Sequence, residues 1–298
     1  MKALVTGGAG FIGSNLVDEL INLGHEVVVI DNESSDSHEE FFWNSKAVNY
    51  KFDIRDYENT RALYNNIDFV FHIAAESKIQ SAINNPINAV SINSVGTATV
   101  LQCSKESGVK RVIYSSTSSG YGRNPIPNIE IQPDDCLNPY AVSKVNGEKL
   151  CKMYTELFNL PTIIFRYFNV YGERQPAKGQ YAPVIGLFIK QKNDKKALTI
   201  VGDGEQRRDF IHVSDVVRAN ILAATTDVLT ESFGEVYNIG SGINYSVNQI
   251  AAMISDNLVF IPSRLGESKE TLSNTDKMKK TFGWSSKVNL EEWIKKNA

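Results

Sequence analysis

The chain has 298 residues, 42% of them hydrophobic and 22% charged, with 31 Lys and Arg against 34 Asp and Glu. At ~150 residues per domain this length fits two domains, or one large domain with an appended lobe, and the apolar share is enough for a full core. That excludes disordered and low-complexity classes, and a net charge of −3 argues against nucleic acid as a partner, because such affinity rests on Lys/Arg–phosphate contacts.

Strand-length apolar segments alternate with segments of helical period through the first half. Lys2–Thr6, Glu26–Asp31, Asn49–Phe52, Phe69–His72, Arg111–Ser115 and Thr162–Arg166 read as strands, several of them almost continuously apolar. Continuous apolar runs are what a parallel sheet covered on both faces requires. Phe11–Leu23, Ala89–Ser107 and Ala141–Phe158 read as helices, with Gly24 and Gly108 where C-terminal caps are expected. The alternation predicts an α/β, doubly wound parallel sheet.

The pattern changes after about residue 170. Gly172–Gly179 reads as loop, followed by short helices at Val184–Gln191, Val213–Thr225, Val247–Ser255, Thr275–Phe282 and Leu290–Lys296. Short strands at Leu198–Val201 and Val236–Ile239 mix with them. The expected division is a dinucleotide-binding domain at 1–168 and a smaller mixed α/β substrate-binding lobe at 169–298, with some chain returning to the first domain.

Cys103, Cys136 and Cys151 form no C-x-x-C pair, and the four histidines lack ligand spacing, so neither a disulfide framework nor a metal site is expected. No apolar run reaches the ~20 residues that span a bilayer. MKALVTGGAG turns into glycines too early for a signal peptide. The expectation is a soluble, cytoplasmic protein with no membrane or nucleic-acid partner.

The first strand runs straight into Gly7-Gly8-Ala9-Gly10-Phe11-Ile12-Gly13 and then a helix. Glycines at that spacing permit a tight turn and close backbone approach to a pyrophosphate, and the helix N-terminus offers free N–H groups to it. Asp31 ends the second strand, where a carboxylate accepts from both ribose hydroxyls and repels a 2′-phosphate, which favours NAD over NADP. Asp53-Ile54 ends the third, where an adenine is expected.

Tyr140 and Lys144 stand one helical turn apart. A cation at ~4 Å contributes about 4 kcal/mol at an effective dielectric near 20, about the three units by which a Tyr pKa must fall for base catalysis near neutrality. The spacing alone is common by chance. Its company gives it weight: Tyr114-Ser115-Ser116-Thr117-Ser118-Ser119-Gly120-Tyr121-Gly122 puts hydroxyls at the carboxyl edge of the fifth strand.

TGGAGFIG (Thr6–Gly13), DN (Asp31–Asn32), HIAA (His72–Ala75), PYAVSK (Pro139–Lys144), RYFNVYG (Arg166–Gly172), GDGEQRRDFIHVSDV (Gly202–Val216), VYNIGSG (Val236–Gly242) and PSRLGE (Pro262–Glu267) occur in order along essentially the whole chain. In that order and spacing the sequence resembles the extended short-chain dehydrogenase/reductases, and within them the nucleotide-sugar 4-epimerases of the UDP-glucose 4-epimerase type. The resemblance implies a Rossmann sheet that keeps NAD bound. It implies that Tyr140, helped by Thr117, takes the proton of the sugar 4-hydroxyl during a transient oxidation at carbon 4. Lys144 holds the nicotinamide ribose and lowers the Tyr140 pKa.

The same matching gives NAD contacts to Gly7, Gly10, Phe11, Ile12, Gly13, Asp31, Asn32, Asp53, Ile54, Ala74, Ala75, Asn93, Tyr140, Lys144 and Tyr167. Substrate contacts fall to Ser77, Thr117, Ser118, Asn169, Arg208 and Arg264, the last three on the diphosphate. Val184, Phe188 and Val201 form a slot for the base, and Arg207 is expected to face solvent. Thr271, seven residues beyond Arg264, takes a position where a bulky Tyr restricts the pocket to plain hexoses and a small residue admits a 2-acetamido group. The helices Ala89–Ser107 and Ala141–Phe158 match those that pair in the family's homodimers.

Related 4,6-dehydratases and decarboxylases carry carboxylates after the catalytic Thr, where this chain has Ser118-Ser119. The Ala74-Ala75-Glu76-Ser77 stretch is dehydratase-like instead. An epimerase on UDP-hexoses with tolerance for UDP-N-acetylhexosamines is therefore the leading expectation. A dehydratase, decarboxylase or 4-ketoreductase follows it, and a non-catalytic NAD sensor is the other class.

Overall fold

The computed structural model describes residues 1–35, 38, 40–177 and 182–298; Lys178 and Gly179, the end of the expected loop, lie outside them. The chain forms β1 (Lys2–Thr6), α1 (Phe11–Asn22), β2 (Glu26–Asp31), β3 (Val48–Lys51), α2 (Tyr57–Thr60), β4 (Phe69–His72), α3 (Ile79–Asn84), α4 (Pro86–Val90), α5 (Gly96–Glu106), β5 (Arg111–Thr117), α6 (Pro139–Phe158) and β6 (Thr162–Tyr167). It continues with β7 (Asn169–Tyr171), α7 (Val184–Asn193), β8 (Leu198–Val201), β9 (Arg207–His212), α8 (Val213–Thr225), β10 (Glu235–Ile239), β11 (Asn244–Ser246), α9 (Val247–Ile254), β12 (Leu258–Ile261), α10 (Asp276–Phe282) and α11 (Leu290–Asn297).

Seven strands form one parallel sheet in the order β10-β6-β5-β4-β1-β2-β3, the doubly wound arrangement. Alternation along its strands explains the apolar runs. Ala3 and Val5 of β1 face Leu16, Val17 and Leu20 of α1 together with Val216 and Val217 of α8. Leu4 faces the other way, into a core with Val100 and Leu101 of α5 and Cys151 and Tyr154 of α6. Both faces are thus covered, as a parallel sheet demands.

Two elements from beyond residue 168 belong to this sheet layer. β10 pairs with β6, Tyr237 opposite Phe165, and α8 packs on α1. The remaining chain builds a third core, in which Phe188 of α7, Ile250 and Ile254 of α9 and Ile294 of α11 cover Leu198, Ile200 and Phe210. Short sheets β11-β9-β7 and β12-β8 frame it. Strands β7, β9, β11 and β12 have no counterpart in the sequence reading, because each mixes polar residues into three to six positions. Among the described residues no helix is long and apolar enough to cross a membrane.

The expected helix Ala89–Ser107 is three segments: α4, a π-wound turn at Ser91–Val95, and α5. The Asn93 carbonyl within that turn accepts from the Thr97 hydroxyl at 2.6 Å.

Helix α6 is stopped at its start by Asn138, whose side chain caps Ala141 N–H at 2.8 Å, with Pro139 in the first turn. It lies so close to β5 that a Cβ on Gly147 would stand 2.1 Å from the Tyr114 hydroxyl oxygen. Gly147→Ala therefore overpacks the helix–sheet contact. We expect a loss of roughly 1–3 kcal/mol in urea unfolding, partly recovered when Tyr114→Phe removes the clashing oxygen; an unchanged midpoint contradicts this packing.

Candidate active site

The carboxyl ends of β1, β2, β4, β5 and β6 open on a cleft of about 500 Å³ that runs to the third core. At its first end Gly7 adopts φ +69° and its N–H donates to Ile30 O at 2.7 Å. A Cβ on Gly13 would lie 2.0 Å from the Gly7 carbonyl oxygen, so α1 sits directly on the loop. Gly10 precedes α1 and offers no side-chain cap to its first N–H groups, the arrangement that suits a phosphate.

Asp31 accepts from Ala9 N–H at 3.1 Å and Glu33 N–H at 2.8 Å. Burial pushes its carboxyl above the ordinary value and those two bonds oppose the rise. It therefore fastens the glycine loop to β2 as well as closing the cleft. Asn32 donates to Asp53 at 3.1 Å, and Arg55 forks onto Asp53 at 2.9 and 2.6 Å, holding that carboxyl below its ordinary value. Gly7, Gly10, Phe11, Ile12, Gly13, Asp31, Asn32, Asp53, Ile54, Ala74, Ala75 and Ser77 all line the cleft. A glycine cradle that a single Cβ would fill, uncapped N–H groups and a strand-end carboxylate fit a dinucleotide.

Two expected cofactor contacts are corrected. Asn93 does not line the cleft. Its amide donates to Glu76 O and the Ser143 hydroxyl, both at 2.9 Å, and its carbonyl oxygen accepts from Glu76 N–H at 2.8 Å. It braces the β4–α3 connection against α6. Tyr167 is packed in the core with its hydroxyl 3.0 Å from the Asn220 carbonyl oxygen.

Thr117 is the last residue of β5, two positions beyond the expected strand end, and its hydroxyl accepts from Ser119 N–H at 3.1 Å. Ser118 and Ser119 line the cleft; Thr117 and Lys144 are buried beside it, and Tyr140 is half-buried at the start of α6. Burial raises the Tyr140 phenol above its ordinary value, the Thr117 hydroxyl counters this, and the Glu76 charge adds to it. The depression expected from Lys144 is not among these influences. The Lys144 ammonium stands 4.4 Å from the centroid of the Tyr114 ring, and burial lowers its pKa to about 7.

At the far end Arg208 donates to Arg207 O at 2.9 Å and faces Glu267 at 3.4 Å, while Arg264 lies 3.9 Å from the same carboxylate. Burial lowers the Arg208 pKa and Glu267 opposes the shift. Asn169 donates to Asp209 O at 3.0 Å. Val184, Phe188 and Val201 line an apolar recess with Leu187 and Val247. Thr271 also lines the cleft, its N–H bonded to Arg207 O at 3.1 Å.

Arg207, expected in solvent, instead donates to Asn244 twice at 3.0 Å and holds the stretch that carries Thr271. The sequence reading missed Asp209. Its carboxylate accepts from Ser241 N–H and Oγ at 2.7 Å, Gly242 N–H at 3.0 Å, and Ser273 N–H and Oγ at 3.0 and 2.6 Å. The signal available was an acid beside Arg208 at an inward position of a strand. Lys78, Gln80, Asn138 and Glu267 are further lining residues it passed over.

Residues 3–240 match the model of the NAD dependent epimerase/dehydratase family. A UDP-N-acetyl-alpha-D-glucosaminuronate decarboxylase from Bacillus cytotoxicus is 38% identical, covering 88% of this chain and 83% of that protein. The crystal structure of a UDP-glucose 4-epimerase from Thermotoga maritima with UDP-glucose matches with a TM-score of 0.93 and 35% identity, over 100% of this chain and 97% of that one. A UDP-N-acetylglucosamine 4-epimerase from Methanobrevibacter ruminantium in complex with UDP-N-acetylmuramic acid matches at 0.91 and 32%, over 99% and 96%.

The Asp31 carboxylate gives the cofactor end its clearest test. Charged hydrogen bonds contribute roughly 1.5–3 kcal/mol each, so Asp31→Ala should weaken NAD binding about tenfold to a hundredfold. Equilibrium dialysis and the NAD content of purified protein measure this; full retention of NAD rules out the assignment. With a glycine cradle, a strand-end acid and hydroxyls at one sheet edge, and with its family model matched over most of its length, the chain belongs to the NAD-dependent epimerase/dehydratase family, as an enzyme with NAD as its cofactor.

Proposed function

We propose that the chain is a UDP-hexose 4-epimerase that works through a transient 4-keto sugar and also accepts UDP-N-acetylhexosamines. The observation that carries this is the catalytic edge: Thr117 and Tyr140 stand at the cleft with Ser118 and Ser119, not carboxylates, as the next residues on its wall. NAD, when bound, supplies the oxidising and reducing capacity at carbon 4. Tyr140 takes the proton of the 4-hydroxyl and later returns one, with the Thr117 hydroxyl as the neighbour that favours the phenolate. Lys144 supplies the buried positive charge beside them. Arg208, Arg264 and Asn169 hold the diphosphate, and the recess at Val184, Phe188 and Val201 takes the base.

The family's dehydration and decarboxylation chemistry has Glu76 in its favour, since its charge acts on Tyr140. Both Glu76 oxygens are already engaged, by Lys78 N–H at 3.1 Å and the Ser81 hydroxyl at 3.0 Å, which leaves it poorly placed as a base.

Thr271 supports the tolerance for a 2-acetamido group, because a small side chain stands at the cleft wall on a stretch clamped by Arg207 and Asn128. Purified protein without added NAD should interconvert UDP-glucose with UDP-galactose and UDP-N-acetylglucosamine with UDP-N-acetylgalactosamine. Tyr140→Phe should lower kcat at least a hundredfold with NAD retained. Thr271→Tyr should abolish only the N-acetyl reaction. Net loss of water or carbon dioxide in the same assay sinks the epimerase reading.

The second copy of a homodimer fits the side of α4 and α6, where Ile87, Val95, Val142 and Leu157 are all exposed apolar residues. Val142→Asp with Leu157→Asp should convert a dimer to a monomer in sedimentation; a wild-type monomer refutes this assignment.

A further inference from the structure

Helix α6 carries three residues at intervals of four, Tyr140, Lys144 and Glu148, so they lie along one face. The first two have roles in the function proposed above; the third is buried and has none. Glu148 accepts from the Ser116 hydroxyl on β5 and from Arg166 on β6, whose Nε and Nη2 lie 2.8 and 2.7 Å away. Arg166 also reaches Asp134 at 2.7 Å, and its guanidinium stands 4.5 Å from the Tyr121 ring centroid. Both side chains are nearly inaccessible, at 3% for Arg166 and 7% for Glu148. A buried pair of this kind is weak evidence for stability, since desolvation offsets much of its attraction. Its placement, one turn below a buried lysine, calls for another account.

We propose that Glu148, held in register by Ser116 and Arg166, is a positioning residue that keeps the Lys144 ammonium charged in its buried site. The inference rests on the roles given above to Tyr140 and Lys144.

The groups around Lys144 leave little else for that task. On α6 they are Tyr140, Glu148 and Cys151; on β5, Tyr114; on β4, His72. Burial pushes the Cys151 thiol and the Tyr114 hydroxyl far above their ordinary values, so both are neutral near pH 7. Burial takes His72 down to about 3, so it too is neutral and supplies no charge. Tyr114 offers only its ring face, a weaker attraction than a full charge. Glu148 is the anion on the helix face itself, and among the charges acting on Lys144 it opposes burial. Around Glu148 stand Arg166, Asp134 with its second partner Lys149 at 3.7 Å, Tyr121 and Cys136. Burial works against the Arg166 charge, but its bonds to Glu148 more than restore it, and the guanidinium stays above its ordinary value.

The sign follows. A lysine whose pKa lies near 7 loses its charge as pH rises through that region, and removing a nearby anion moves the loss to lower pH. Glu148→Gln should therefore shift the alkaline limb of kcat downward by about one pH unit. Arg166→Gln, which leaves the anion in place, should leave that limb fixed or move it upward. Glu148→Gln with Arg166→Gln neutralises the pair without stranding a charge, keeps the fold where the single variant does not, and should retain the downward shift.

NMR titration of the Lys144 ε-carbon, assigned through Lys144→Met, reads the same quantity without turnover. A Lys144 that titrates in the ordinary lysine range in the wild-type protein overturns the proposal before any variant is made. A limb that stays put in the double variant, or that moves alike in all three, assigns Glu148 and Arg166 to structure alone and overturns it too. Wild-type kcat in Lys144→Met defeats the catalytic reading itself, and the inference with it. An inactive Lys144→Met beside an unmoved limb defeats only the inference.

Discussion

The close seating of α6 on β5 is the constraint on which the catalytic edge depends. Gly147 allows the approach, the Tyr114 hydroxyl donates to Lys144 O at 3.0 Å, and Glu148 closes on Ser116 and Arg166. These contacts span two turns of one helix, so its axial position and its rotation are fixed together. A slip of one residue rotates an α-helix by about 100° and carries Tyr140 away from Thr117. The reactive groups are therefore placed by packing some ten ångströms deep, and a phenol in the first turn of a helix inherits the precision of the core beneath it.

The substrate side is held by a different device. Asn169, Arg208, Arg264 and Thr271 come from three separate stretches, none of which has much core of its own. Asp209 gathers them: its five accepted bonds tie the Ser241–Gly242 turn and Ser273 to β9, and its carbonyl takes the Asn169 amide. A wholly buried carboxylate is costly to desolvate, and here five donors compensate it. The two sides then meet at one residue. Asn138 caps α6 through its carbonyl oxygen and donates through its amide to Gly266 O at 2.8 Å, so the start of the catalytic helix and the arm bearing Arg264 share a single side chain.

Much of this was legible in the sequence, and for definite reasons. The strands and helices of the sheet layer announce themselves because both sheet faces are buried, which forces long apolar runs, and because Gly7, Gly13 and Asp31 have few other uses at such spacing. The π turn at Ser91–Val95 is invisible to a 3.6-residue period. The strands of the second lobe are short and half polar, so β9 reads as a motif and not as a strand. Asn93 and Tyr167 illustrate a different limit: motif matching finds that a position matters but not which way its side chain points. Both turn out to support the site from behind, through Ser143 and Asn220. Asp209 went unread because a lone acid in sequence carries no sign of the five donors that the fold brings to it.

A net charge of −3 leaves no broad positive field to draw in an anionic nucleotide sugar, so attraction has to be local. Two guanidinium groups in one cleft repel each other, and Glu267 stands between them. Its separations of 3.4 and 3.9 Å are wider than the tight forks at Asp53 and Asp135, where Arg55 and Arg123 close to 2.6 and 2.8 Å. The tight forks sit on the rim and fix loops. The loose one sits in the cleft, where it lowers the repulsion between Arg208 and Arg264 without matching the paired geometry an arginine makes with phosphate oxygens. A diphosphate improves on that single carboxylate in both charge and shape. The same balance recurs at the other end of the cleft, where a buried ammonium depends on one carboxylate a helical turn away. In both places a near-neutral chain sets the charge it needs by burying a single acid against a base.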